Sequence, residues 1–223
     1  MDREVSELLR ARPVMPGPLP GFDADTAPRQ PGELFLRWLA EAVDAEVTEP
    51  QLAVVGTADA RGRPSSRVLL LRDVRLADDG GVGFVFASSA ASRKGRELAE
   101  NPWAALCFYW SEQGRQVRAG GPVTAGTPEE NAREFLSRAP QARLASLTGR
   151  QSAVLAGFEE YEAAWRKAER LLAEHPESVP ADYTVYILWA DELEFWQGDT
   201  GRRHIRLRYR RDERGWTREL LWP

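Results

Sequence analysis

The chain has 223 residues, is 43% hydrophobic and carries a formal charge of −4. That is enough apolar material for one full core, and the mild acidity offers no basic field for nucleic acid. No stretch approaches the roughly 20 apolar residues of a membrane span, Met1-Asp2-Arg3-Glu4 opens no signal-type run, and the single cysteine, Cys107, excludes an internal disulfide. A soluble, cytoplasmic protein is expected.

Residues 1–31 hold six prolines with little periodicity and read as a flexible arm, with a short helix at its start. A single domain is expected over 32–223. Leu34, Phe35, Trp38, Leu39 and Val43 recur at helical spacing, which predicts an amphipathic helix over 32–47. Strands are predicted at 51–58 and 65–73, joined by the turn Asp59-Ala60-Arg61-Gly62, and a further strand at 81–88. A short helix over 92–100 ends at Asn101-Pro102. Strands 103–110 and 116–124 form a second hairpin. Thr127-Pro128-Glu129-Glu130 is a strong helix start, with a capping hydroxyl, a proline at the first position and acids in the first turn. The longest helix is predicted at 152–174, followed by strands at 184–196, 205–210 and 216–221. Antiparallel hairpins with interspersed helices imply an α+β protein built on a β-barrel with peripheral helices.

Several stretches can carry chemistry. In Ser92-Arg93-Lys94-Gly95 two cations stand in the first turn of a helix, where they oppose its dipole unless an anion is shared. The turn is either an exposed basic corner or a phosphate site. Lys94 is one of only two lysines among 30 basic residues, which favours the second reading. Arg67 and Arg72 differ in parity along a strand and so point to opposite faces. Gln116 and the Gln151-Ser152 pair offer amides that can serve a ligand or simply face water. Near the C-terminus, Glu194-Phe195-Trp196-Gln197-Gly198 precedes Arg202-Arg203-His204-Ile205-Arg206. If the latter is a strand, Arg202, His204 and Arg206 share one face. That face is either a solvated, aggregation-resistant edge or a pocket for a flat anionic ligand.

Other chemistries lack their motifs. There is no G-x-G-x-x-G and no G-x-S-x-G, and two histidines with one cysteine make no zinc site of the usual type. No metal is expected.

Taken in order, Arg67-Val68-Leu69-Leu70-Leu71-Arg72, Ser92-Arg93-Lys94-Gly95, Arg115-Gln116-Val117, Ser137-Arg138, Arg150-Gln151-Ser152 and Glu194-Phe195-Trp196-Gln197-Gly198 with Arg202-x-His204-x-Arg206 resemble the pyridoxamine 5'-phosphate oxidase family. The resemblance runs from about residue 33 to the end. It implies an FMN-binding split β-barrel, antiparallel and Greek-key-like, that forms a homodimer with FMN at the subunit interface. It also implies that Arg67, Ser88, Arg93 and Lys94, with Ser152 nearby, meet the FMN phosphate. The backbone at Val68, Leu69, Leu70 and Leu71, with Gln116, Gln151, Trp196 and Arg206, then meets the ring system. The positions that hold the substrate phosphate in the family's vitamin enzymes are Arg72, Glu134, Arg138 and Ala142, and Arg202 and His204 match the residues over the substrate ring.

Here the chain departs from the family pattern, which has Lys, Tyr, Arg and Ser at those four phosphate positions. A carboxylate at 134 repels a phosphate dianion by about 1–3 kcal/mol. Ala87 replaces a frequent Tyr. The run from Ser92 to Ala99, Pro102-Trp103-Ala104 and Tyr109-Trp110 resemble the branch of flavin oxidases in phenazine biosynthesis. The expected activity is therefore an FMN-dependent oxidase of secondary metabolism. It removes a hydride from a reduced planar heterocycle, non-phosphorylated and carboxylated, with O2 as acceptor. Arg202 anchors the ring, His204 accepts the accompanying proton, and Arg72 and Arg138 bind the carboxylate. The alternatives are a pyridoxamine/pyridoxine 5'-phosphate oxidase with a rearranged pocket, a non-catalytic flavin-binding protein, and a deazaflavin-using reductase.

Overall fold

Burial alternates residue by residue along β5 (Trp103–Trp110) and the first half of β6 (Arg115–Ala125), the period-2 signature of strands with one face in a core. In the computed structural model, which describes residues 5–11, 15 and 17–223, these two strands are the centre of a curled antiparallel sheet. The order on one side is β10 (Gly215–Leu220), β9 (Ile205–Asp212), β8 (Glu192–Gln197), β6, β5, β1 (Leu52–Ala58) and β2 (Pro64–Leu70). The far end of β6 leaves β8 and pairs instead with β7 (Tyr183–Trp189), which continues to β4 (Val82–Ser89) and β3 (Asp73–Leu76). β6 bends at Gly120-Gly121-Pro122 to do so. A Cβ on Gly121 would run into the Trp189 carbonyl oxygen, so only glycine lets the two strands approach this closely.

The half-barrel is filled by α2 (Pro31–Asp44), whose Leu34, Phe35 and Trp38 are essentially fully buried. Phe35 meets Phe84 edge-on at 4.9 Å and Trp38 meets Phe195 at 5.3 Å. Arg115 lays its guanidinium 4.4 Å over the Trp38 ring while pairing with Glu41. Part of the 1–31 arm packs onto this core. Phe22 is edge-on to Trp38 at 5.0 Å, Tyr209 donates its hydroxyl to the Pro28 carbonyl at 2.7 Å, and Ala27 is buried. The short helix α1 (Val5–Arg10) precedes it.

The observed elements depart from the predicted ones in four places. The strand predicted at 65–73 is two, β2 and β3, because the chain changes sheets between them: Leu71 N–H bonds to Gln51 O and Arg72 N–H to Val85 O. The strand predicted at 184–196 breaks at Ala190-Asp191 for the same reason, with successive amides bonded to Val82 O and Gly120 O. The long helix, α6 (Phe158–Glu174), starts at Phe158 and not at Ser152, since Arg150 and Ser152 hold φ of 55° and 70° in the left-handed region. An unanticipated helix, α5 (Pro140–Leu147), stands between α4 (Pro128–Ser137) and that loop.

Candidate active site

The turn after β4 builds the most charged interior point of the molecule. Ser92 caps α3 (Arg93–Glu100) by accepting from Gly95 N–H at 3.2 Å, and Lys94 folds back beneath it, only 5% exposed. Its Nζ donates to Ser88 Oγ at 2.8 Å, Ser92 Oγ at 3.3 Å and Gln151 Oε1 at 3.4 Å, all neutral acceptors. Burial, and then the nearby Arg67 charge, push the Lys94 ammonium down to about 8, against a weaker pull from Glu97. Arg67 reaches the same region from β2, donating to Thr57 Oγ1 at 2.6 Å, Ser65 Oγ at 2.5 Å and the Val55 carbonyl at 3.2 Å.

Glu97, one turn along α3 from Arg93, holds these cations in place. It accepts from Thr57 at 2.5 Å, Ser65 at 2.6 Å and Arg93 Nε at 2.8 Å, and lies 3.6 Å from Arg67. Burial works against its charge, but the bonds from Ser65, Thr57 and Arg93 outweigh it and hold the carboxyl at about 2. Reading the sequence missed Glu97; its spacing of four from Arg93 was the available signal.

Beside this cluster opens a cavity of about 460 Å³ bordered by Leu69, Arg72, Ser88, Arg138, Gln151 and Tyr183. Thus Ser88, Lys94, Arg67 and Gln151, four predicted phosphate and ring positions, converge. Ser152 does not join them: its φ of 70° leaves it exposed outside the cavity lining. Of the 68–71 run, Val68 and Leu70 project outward, 56% and 40% exposed, while Leu69 and Leu71 pack against the core.

A second cavity, about 550 Å³, is bordered by all four predicted substrate positions, Arg72, Glu134, Arg138 and Ala142. Arg72 and Arg138 are common to both cavities. Glu134 lies 3.4 Å from Arg72 Nε and accepts a short hydrogen bond from the Tyr183 hydroxyl. Arg138 donates from Nη1 to Ser146 Oγ at 2.8 Å and to the Tyr183 oxygen at 3.3 Å, while its buried Nε has no partner among the described residues. Burial and the bond to Glu134 raise the Tyr183 phenol well above its ordinary value. Tyr183, like Glu97, was not singled out in the sequence.

The remaining ring positions stand elsewhere on the sheet. Gln116, Trp196 and Arg206 are opposite one another across β6, β8 and β9 and form one row. The predicted common strand face of Arg202, His204 and Arg206 is not formed, because β9 begins only at Ile205 and the two earlier residues lie in a turn. Arg202 is exposed there with φ of 64°. Arg206 is held by buried Glu194 at 2.8 Å. His204 packs on Trp196 with ring centroids 4.9 Å apart, and its Nδ1 accepts the Asp199 N–H at 3.1 Å. That bond places the proton of the neutral ring on Nε2, so His204 presents a donor and not the proton acceptor expected of it.

Among the described residues no group of three or more His, Cys, Asp or Glu side chains is placed to hold a metal ion, and no helix is long and apolar enough to cross a membrane.

Residues 39–179 match the family model described as pyridoxamine 5'-phosphate oxidase, and residues 183–223 match the pyridoxine 5'-phosphate oxidase C-terminal dimerisation region. The chain is 41% identical over 201 residues to a pyridoxine/pyridoxamine 5'-phosphate oxidase of Paraburkholderia phymatum, covering 90% of this chain and 92% of that one. It is 42% identical over 203 residues, with the same coverages, to its namesake from Neisseria gonorrhoeae. Among solved structures, PhzG from Burkholderia lata 383, in complex with tetrahydrophenazine-1-carboxylic acid, superposes with a TM-score of 0.85 at 32% identity, covering 93% of this chain and all of that one. An FMN-binding protein from Nostoc punctiforme shares the fold at a TM-score of 0.68 and 16% identity, covering 86% of this chain and 97% of that one. The chain therefore belongs to the pyridoxamine 5'-phosphate oxidase family of flavin-dependent oxidoreductases.

Proposed function

We propose that the protein is an FMN-dependent oxidase acting on a reduced, planar, non-phosphorylated heterocycle that carries a carboxylate, with O2 as the final acceptor. The carrying observation is the Arg72–Glu134 pair. In the cavity bordered by the four predicted substrate positions, one of the two shared arginines already has an internal carboxylate 3.4 Å away. The lining holds four arginines (Arg72, Arg75, Arg133 and Arg138) against three carboxylates (Asp73, Glu130 and Glu134), a surplus of one positive charge. That surplus suits a monocarboxylate; a phosphate dianion would face Glu134 as a like charge. The tetrahydrophenazine-1-carboxylic acid named with the Burkholderia lata neighbour is a ligand of this description.

The residues present fit FMN. A phosphate requires a buried cation not already paired with a carboxylate, and Lys94 has only neutral hydroxyl and amide partners, with Arg67 and Arg93 alongside. When bound, FMN supplies a two-electron acceptor that O2 regenerates with release of hydrogen peroxide. Arg67, Ser88, Arg93 and Lys94 would hold its phosphate end, joined by Gln151, expected at the ring but bonded to Ser88 and Lys94, and Gln116, Trp196 and Arg206 would hold its ring. These two groups stand on different parts of one chain, with β5 and β1 between the strands that carry Arg67 and Gln116. A homodimer with FMN in the seam brings the group from one protomer to the group from its partner, in keeping with the dimerisation region at 183–223. Arg202, exposed in its turn, anchors the substrate ring. His204 steadies it by donating from Nε2. Lys94, whose ammonium burial and Arg67 hold down at about 8 in the flavin-free protein, ties the binding of the phosphate end to pH. A cytoplasmic location follows the same reading.

The second reading, a pyridoxine 5'-phosphate oxidase, draws on the relatives of that name and on the presence of both Arg72 and Arg138. Side-by-side assays of hydrogen peroxide release separate the two. Turnover of a dihydrophenazine carboxylate with little from pyridoxine 5'-phosphate is the expected result. Brisk turnover of pyridoxine 5'-phosphate overturns the substrate assignment.

A further inference from the structure

Glu134 and Arg138 are four residues apart at the end of α4, the spacing and direction at which a glutamate and an arginine ordinarily pair directly. Here they do not. The Tyr183 oxygen stands between them, donating its proton to Glu134 Oε2 and accepting from Arg138 Nη1 at 3.3 Å. The phenol cannot swing away: it is 5% exposed, its ring meets Phe135 edge-on at 4.9 Å, and the Arg138 guanidinium carbon lies 5.5 Å from the ring centroid. Tyr183 enters this position as the first residue of β7, opposite Ser89 of β4, so both strands fix it.

We propose that Tyr183 is a specificity-determining residue: its hydroxyl keeps the Glu134 carboxylate off Arg138 and so preserves Arg138 as a free cation for a substrate carboxylate. The inference rests on the proposed carboxylate substrate and adds to it the residue that decides which arginine of the pocket stays free. A hydroxyl is suited to the task because it satisfies the carboxylate as a donor and the guanidinium as an acceptor at once. Phenylalanine can do neither. With the oxygen gone, Glu134 is left short of a donor and Arg138 short of an acceptor, and their direct pairing occupies Arg138 and shifts the unpaired positive charge to Arg72, away from the carboxylate position.

The test uses the FMN-loaded protein and two probes of equal shape, phenazine-1-carboxylate and its neutral carboxamide, with dissociation constants measured by equilibrium dialysis. Tyr183→Phe should weaken carboxylate binding by roughly ten- to a hundredfold, corresponding to about 1.4–2.7 kcal/mol, and leave the carboxamide within about twofold. The double variant Tyr183→Phe/Glu134→Gln should recover the carboxylate affinity, since a neutral amide cannot quench Arg138. A merely structural tyrosine predicts equal losses for both probes and no recovery. Either outcome, or an unchanged carboxylate affinity in Tyr183→Phe, overturns the inference. A wild-type protein that holds FMN but treats the two probes alike overturns the carboxylate reading itself, and this inference with it.

Discussion

Replacing Lys94 by methionine should move stability and flavin binding in opposite directions. The lysine is 5% exposed and its donors end on two serine hydroxyls and an amide. The drop of its ammonium from 10.5 to about 8 corresponds to about 3 kcal/mol by which the empty protein disfavours the charge. Methionine keeps the apolar stem and removes the charge, so the flavin-free protein should gain up to about 3 kcal/mol at pH 7. At about 2–4 °C per kcal/mol for a chain of this size, melting should rise by roughly 5–10 °C. FMN affinity should instead fall by about ten- to a hundredfold, the range expected for one charge-assisted hydrogen bond to phosphate. Riboflavin, which lacks the phosphate, should bind the two proteins equally. The pH dependence has a definite sign. A lysine whose folded value is lowered costs stability while it is charged in both states, below about 8, and the cost disappears as pH rises toward 10.5. Flavin-free wild type should therefore gain stability across that window, and its preference for FMN over riboflavin should shrink as the ammonium is lost. Thermal melts and flavin-fluorescence titrations measure both. A destabilised Lys94→Met with unchanged FMN affinity, or equal losses for FMN and riboflavin, would refute the phosphate assignment of this turn.

Glu97→Gln should cost about 2–3 kcal/mol at pH 7, because the carboxyl is held at about 2 by Ser65, Thr57 and Arg93 despite its burial. As a lowered carboxylate, it contributes fully above its unfolded value of 4.5 and loses that contribution as pH falls through about 2, so urea unfolding of variant and wild type should differ by a constant amount from pH 7 to about pH 5 and converge only as pH falls from there toward 2. Glu134→Tyr removes the internal anion from beside Arg72 and should raise kcat/KM for pyridoxine 5'-phosphate at least tenfold in the peroxide assay; no gain would show that Glu134 is not what excludes the phosphate. Gly121→Ala drives a methyl into the Trp189 carbonyl where β6 crosses from one sheet to the other, so it should destabilise by roughly 3 kcal/mol or yield no folded protein. A melting temperature near wild type would mean that the β6–β7 crossing gives way.

Where residues act through local spacing, the chain could be read directly. The Ser92 cap, the Thr127-Pro128 start of α4, the β5–β6 hairpin and the amphipathic stripe of α2 all depend on neighbours within a few positions, and each stands where periodicity and turn chemistry put it. The ordered motifs also led to Ser88, Lys94 and Gln151, and to the four positions around the second cavity. What spacing could not convey is which face a residue meets after the chain changes sheets. β2 and β3, like β7 and β8, look continuous because each amide finds a partner, and only the partner's identity reveals the break. The 202–206 stretch alternates like a strand, yet its first half is a turn held by Asp199, which reverses the hydrogen-bonding role of His204. Glu97 and Tyr183 escaped notice because their importance lies in contacts 32 to 49 residues away, with Ser65, Thr57 and Glu134. Composition and local pattern thus determined the family of elements and the clustering of cations at the start of α3. Only the folded arrangement decided the charge each pocket keeps, because that balance is set by side chains brought together from distant strands and helices.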